Sequence, residues 1–353
     1  MRIAVVLSLA LILCGRAPAA DKPSFTVGWS IYVGWNPYHY MDKSGILKKW
    51  AEKYGVTIKV QRFDYAPSLE AFVAKSIDAC TMTNMEALDM PAAAGVDTTA
   101  VILGDYSNGN DAVLVRNGLT FDKLAGKKVM LVQKTVSEYL FERGMTMNGA
   151  KDQIKRVRLV NTSDSDIAPA FLNNPDEEAV VTWKPLVSQI RKGKGITTIF
   201  SSAQIPGEIL DLLVIRTDVL HRPGGQNFAK AVTGAWYEVM SQLSGTGPAK
   251  DKALRGTAEA SEDTPDSIKE QLTTTHLFYT PQSSMQFLTS AELKQKMDLV
   301  RQFCFTHGLL GEGTSGADEV AVLYPDGAVQ GKKDRVRLRF DTSYTQLVQE
   351  GKL

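Results

Sequence analysis

Cysteine is scarce in this chain. Only Cys14, Cys80 and Cys304 occur in 353 residues, and no two form a C-x-x-C pair. That excludes a zinc ribbon, a thioredoxin-type redox motif and a disulfide scaffold. Charge of one sign is also missing: 40 basic side chains against 39 acidic ones leave a formal net charge of +1. Proteins that hold polyanions carry a basic excess, so nucleic acid is not an expected partner. The histidines, His39, His221, His276 and His307, lie far apart in sequence. There is no G-x-S-x-G elbow, no H-E-x-x-H, no S-x-x-K with its partner motifs and no glycine-rich phosphate loop. A secreted hydrolase is therefore the weaker reading, and neither a metal nor a cofactor is expected.

Long apolar runs are absent beyond the N-terminus. Met1-Arg2 gives a positive end, residues 3–13 are apolar, and Ala17-Pro18-Ala19 has the small-x-small pattern of a signal-peptidase site. The run is shorter than the roughly 20 residues of a spanning helix. Residues 1–20 are thus expected to be an export signal, cleaved near Ala19-Ala20. Leu13 stands before Cys14, where a lipid-bearing cysteine needs a small residue, so a soluble periplasmic monomer is expected. Cleavage removes Arg2 and Arg16 and no acid, which takes the net charge to −1. Cys80 and Cys304 then remain, free to pair or to stand as separate buried thiols.

What is present is a globular composition, 44% hydrophobic and 22% charged, long enough for two domains. Short apolar runs alternate with helix-period segments, the pattern of α/β units. Strands are expected at 25–29, 56–63, 79–82, 99–104, 112–116, 128–132, 157–160, 179–182, 196–200 and 212–216. Helices are expected at 68–77, with Ser68 as N-cap, at 137–147 and at 166–172. From about residue 227 the pattern turns mainly helical. The similar strands 112–116 and 212–216 lie about 100 residues apart with a full α/β alternation between them. This suggests one lobe inserted into another: residues 21–113 and 217–353 in the first, 114–216 in the second, with a hinge between. Two core strands of one large sheet would look the same.

Aromatic and acidic residues gather where loops follow strands, the side on which open α/β sheets bind ligands. Trp29, Tyr32, Trp35, Tyr38 and Tyr40 crowd the first such loop. The others offer Asn84, Glu86, Asp105, Asp111, Glu138, Trp183, Glu208 and Asp211, with Lys134 and Lys184 as the nearby bases. Each has a bland reading as well. Glu138 suits a helix N-terminus through the macrodipole alone, Asp105 is a common turn former, and Trp183 fits an ordinary core.

The order of several pieces resembles the periplasmic solute-binding proteins of ABC transporters, in the group serving nitrate, taurine and aliphatic sulfonates. They are Trp35-Asn36-Pro37, Gly45-Ile46-Leu47, Ser76-Ile77-Asp78-Ala79, Leu124-Ala125-Gly126-Lys127-Lys128-Val129, Ser137-Glu138-Tyr139-Leu140 and Val180-Val181-Thr182-Trp183-Lys184-Pro185. Within that group the chain is most similar to a urea carboxylase-associated branch linked to urea and guanidine. Thr81–Glu86, Gly104–Asp111 and Phe340-Asp341-Thr342-Ser343-Tyr344 carry this closer resemblance. It implies a two-lobed α/β periplasmic binding protein fold of type II, a small-molecule ligand, a permease partner in the inner membrane, and no catalysis. Glu138 departs from the small serine- or threonine-rich turn of sulfonate binders.

The residue types point the same way. Sulfonate or nitrate calls for arginine, serine and free N–H groups. Guanidinium is planar, with donors around its edge and no acceptor, so it suits carboxylates at the edge and an indole on the face. Urea has the same outline but adds a carbonyl. The expected ligand-binding residues are Glu86 and Asp111 as edge acceptors, Trp35 or Trp183 as the stacking face, and Asn84, Glu138 and Glu208 as further contacts. The alternatives are an aliphatic sulfonate, taurine or nitrate binder, a hydrolase, and a scaffold for another protein.

Overall fold

The computed structural model describes residues 22–353, so the expected export signal and Cys14 lie outside the described residues. The chain builds two sheets. The larger has nine strands. Along its main path these run Val329–Gln330, Ala321–Leu323, Val336–Phe340, Thr98–Ser107, Leu210–Arg216, Ala79–Thr83, Ser24–Trp29 and Thr57–Arg62. Thr275–Leu277 pairs with the far end of Thr98–Ser107. The smaller sheet has five strands, in the order Arg158–Asn161, Lys128–Leu131, Ala179–Thr182, Ala112–Arg116 and Ile196–Ser201.

Pattern and position agree. Leu210–Arg216 and Ala79–Thr83 are buried along their whole length, as central strands covered on both faces must be, whereas the edge strand Thr57–Arg62 is only half-buried. Helices follow the same logic. Gly225–Ser244 turns Phe228, Val232, Trp236 and Val239 inward, and these residues belong to the main core.

Both lobe crossings differ from the sequence-based boundaries. Leu210–Arg216 lies in the larger sheet, antiparallel to Thr98–Ser107 and Ala79–Thr83. The whole of Ala112–Arg116 lies in the smaller one. The chain therefore crosses just before each apolar strand, at 108–111 and 202–209. Hydrophobicity shows that a strand is buried, but not which sheet buries it. Helix starts shift as well. The expected N-cap Ser68 lies inside the helix Tyr65–Val73 and donates to the Tyr65 carbonyl at 2.6 Å. The later strands Thr275–Leu277, Ala321–Leu323, Val329–Gln330 and Val336–Phe340 interrupt the helical C-terminal region.

The two crossings are tied together. The Ser107 and Ser202 hydroxyls lie 2.7 Å apart, Gly109 N–H donates to Ser202 Oγ at 2.7 Å, and Ser202 N–H donates to the Asp111 carbonyl at 2.9 Å. The lobes are closed on one another. Trp183 Nε1 donates to the Ile31 carbonyl at 2.9 Å, and Val33 N–H to the Lys184 carbonyl at 3.3 Å. Cys80 and Cys304 are separate buried thiols. Among the described residues no helix is long and apolar enough to cross a membrane.

Candidate functional site

Strand ends from both sheets converge between the lobes. Ser24–Trp29 leads into Tyr32 and Trp35, Ala79–Thr83 ends on Thr83, and Leu210–Arg216 begins beside Asp211. From the smaller lobe come Asp111 at the crossing, Val136 after Lys128–Leu131, and Trp183 after Ala179–Thr182. Together with Tyr65 and Ile209 they line a narrow cavity between the lobes.

Four aromatic rings form a continuous wall. Tyr32 and Trp35 meet edge-on with centroids 5.1 Å apart, Trp35 and Tyr65 lie 5.5 Å apart, and Tyr65 meets Trp183 edge-on at 5.6 Å. The charged groups beside this wall are all acidic. Asp111 and Asp211 line the cavity, and Asp105 stands directly across the strand pair from Asp211. Tyr32 Oη donates to Asp105 Oδ1 at 3.0 Å, and Asn110 Nδ2 donates to Tyr32 Oη at 2.9 Å. Asp111 accepts from the Ser107 hydroxyl. Asp105 Oδ2 and Asp211 Oδ2 have no hydrogen-bond partner beyond each other's carboxyl, and Trp35 Nε1 is buried without any.

This acidity has an electrostatic consequence. Burial pushes the Asp105 and Asp111 carboxyls up to about 7, against hydrogen bonds from Asp211 and Tyr32 to Asp105, and from Ser107 to Asp111, that favour the charged forms. Asp211 is raised well above the ordinary carboxylate range, first by burial and then by the neighbouring Asp105 and Asp111. Among the described residues no lysine or arginine is salt-bridged to any of the three. Lys184, one of the two expected bases, directs its Nζ to Thr274 Oγ1 at 2.8 Å instead.

The structure brings together Trp35, Asp111 and Trp183 of the expected ligand-binding residues, and places the others around or away from the cavity. Glu86 is fully buried at its margin, accepting from the Thr83 hydroxyl and, at 2.8 Å, from Val136 N–H. Asn84 holds the returning crossing, donating to the Glu208 carbonyl and accepting from Leu210 N–H, each at 3.0 Å. Glu208 is consumed by Arg143, whose Nε and Nη2 each donate to it at 2.9 Å, and by the Tyr139 hydroxyl. Glu138 turns back to accept from Lys134 N–H at 2.8 Å on a partly exposed surface. Residue type and loop position suggested these four acceptors. Their protein partners come from distant segments or from a local turn that spacing did not reveal.

Tyr32, Tyr65, Thr83, Val136, Ile209 and Asp211 were missing from the expected binding set. Asp211 had a usable signal: it is a carboxylate set directly against the apolar run 212–215. A buried acid that meets no basic side chain breaks local consistency, and such breaks mark functional sites. Tyr65 had no comparable signal.

No family model matches the sequence, and no curated protein matches it. Solved structures do. The alkanesulfonate-binding protein SsuA from Xanthomonas axonopodis pv. citri, bound to MOPS, is 16% identical with a TM-score of 0.66, covering 83% of this chain and 96% of its own. The periplasmic aliphatic sulphonate-binding protein SsuA from Escherichia coli is 16% identical with a TM-score of 0.64, covering 82% and 94%. The periplasmic nitrate-binding protein NrtA from Synechocystis PCC 6803 is 12% identical with a TM-score of 0.57, covering 92% and 98%. These likenesses define the class of structure: this chain has the two-lobed α/β fold of periplasmic binding proteins.

Proposed function

We propose that the protein is the solute-binding component of an ABC importer and captures guanidinium by closure of its lobes. The observation that carries this reading is the cavity itself: two lining aspartates backed by a third, no paired base, and an aromatic wall. A cation that donates hydrogen bonds compensates buried carboxylates. Each charge-assisted bond contributes about 1.5–3 kcal/mol, and an indole face about 0.5–2 kcal/mol more. Guanidinium keeps its charge throughout the physiological range, as the arginine head group does.

Sulfonate and nitrate, the ligands named for the structural neighbours, fit these residues poorly. The helix N-terminus most suited to an anion, at Val136, already donates to the Glu86 carboxylate. Once ionised, Asp111 and Asp211 repel an anion in a site of low dielectric. Urea has one observation in its favour, the buried Trp35 Nε1–H without a partner, which a carbonyl oxygen would satisfy.

Export to the periplasm, action as a monomer and delivery to an inner-membrane permease complete the proposal, supported by the N-terminal pattern and the fold. Titration calorimetry with guanidinium chloride, urea, taurine and sodium nitrate tests it, with sodium chloride as control. Guanidinium binding that strengthens as pH rises through about 7 is expected, as the aspartates ionise. Binding of urea with no pH dependence, or of either anion, overturns the ligand assignment. Turnover of the bound compound would overturn the binding-protein reading altogether.

A further inference from the structure

Each lobe carries a carboxylate that caps the first helix turn of the other lobe. Asp164, in the smaller lobe, accepts from Tyr65 N–H through both oxygens, at 3.2 and 3.3 Å. Tyr65 opens the helix Tyr65–Val73 of the larger lobe. That helix lacks a cap of its own: Asp64 occupies the N-cap position, makes no capping bond, and accepts instead from Ser165 Oγ of the smaller lobe at 3.0 Å. In the opposite direction, Glu86 of the larger lobe accepts from Val136 N–H at 2.8 Å. Val136 opens the helix Val136–Met147 of the smaller lobe.

The first amides of a helix have no partner inside it and bear its positive dipole end, so a carboxylate there is stabilising. Both capped residues, Tyr65 and Val136, also line the cavity, as does Thr83, which donates to Glu86. Cap and cavity wall are thus adjacent atoms of the same residues on both sides of the cleft.

We propose that Glu86 and Asp164 are positioning residues forming a reciprocal latch, which holds the lobes closed around the cavity without touching the ligand. Both caps cross the cleft, so both break when the lobes separate, and loss of one lowers the cost of losing the other. The latch acts on release rather than capture. It rests on the binding reading for its purpose, but the caps are measurable apart from it.

The test is amide hydrogen exchange at Tyr65 and Val136 in the full exported chain, with and without guanidinium chloride, for the unaltered protein and for Glu86→Gln and Asp164→Asn. In the unaltered protein the two amides are expected to open together. Each substitution should accelerate exchange at both amides, including the one across the cleft, by about tenfold, the loss of roughly one charge-assisted bond. Guanidinium dissociation, followed by fluorescence of Trp35 and Trp183, should quicken by about the same factor, with association nearly unchanged.

Acceleration confined to the amide beside the substituted residue overturns the latch, because it shows local capping without coupling. Independent opening of the two amides in the unaltered protein overturns it as well, without any variant. If guanidinium fails to bind, the ligand assignment falls and the exchange measurements still decide the latch.

Discussion

Replacing Asp111 by asparagine removes one charge from the cavity while keeping an oxygen that can accept from Ser107. With Asp111 ionised, loss of its bond to a bound cation should cost about 1.5–3 kcal/mol, or roughly 10- to 150-fold in affinity. Ionisation is conditional, since burial holds this carboxyl at about 7. Guanidinium must displace the proton below that pH, at about 1.4 kcal/mol per unit. Near pH 8 the full penalty of the substitution should appear; near pH 5 most of it should be gone, because the unaltered site then begins protonated. Urea, which carries no charge, should lose less than guanidinium at pH 8.

The same substitution should stabilise the protein when no cation is added. A carboxyl raised from about 4 to about 7 binds its proton more tightly in the folded state, so its stabilising effect is complete below the unfolded value and lost as pH rises through about 7. At pH 8 the ionised Asp111 costs up to about 4 kcal/mol, and the amide removes much of that. Calorimetric titration at both pH values, with thermal melts beside it, reads the two effects together. Equal losses for guanidinium and urea at pH 8, or a lower melting temperature for the variant there, would refute the charge argument.

Without added ligand, the unaltered protein should lose stability between about pH 5 and pH 8, the sign set by the raised Asp105, Asp111 and Asp211 carboxyls, and saturating guanidinium should flatten that slope. Denaturant melts across the range check this. Trp35→Phe keeps an aromatic face but removes Nε1–H, so guanidinium affinity should change by less than about threefold, whereas a urea site would lose about tenfold. Gly34→Ala should abolish binding by calorimetry, because the new methyl carbon would lie 2.2 Å from Asp105 Oδ2 and 2.6 Å from the Tyr32 ring. Glu208→Gln should destabilise the protein by about 1–3 kcal/mol in denaturant melts, by leaving Arg143 half-paired, while preserving the preference among ligands.

How much of this was legible in the chain depends on the range of the cause. Alternation and apolar runs located Ala112–Arg116 and Ala179–Thr182 to the residue, because burial on both faces acts on neighbours in sequence. The acidic and aromatic character of the site was legible too, since Trp35, Asp111 and Trp183 fall in loops that follow or precede such strands. Glu86, Asn84 and Glu208 belonged to the same loops, and their chemistry alone marked them as ligand acceptors.

Tertiary structure alone decided what those acceptors meet. Val136 N–H lies 50 residues from Glu86, Arg143 lies 65 from Glu208, and the Glu208 carbonyl lies 124 from Asn84. A carboxylate looks the same in sequence whether it faces a helix amide, a guanidinium of its own chain or an open cavity. The distinction arises only when closure brings distant backbone donors within about 3 Å. Composition and local pattern therefore determined that this chain folds as α/β lobes with acidic, aromatic loops between them. The packing of one lobe on the other determined which acids meet no basic side chain, and hence which of them remain available to a cation.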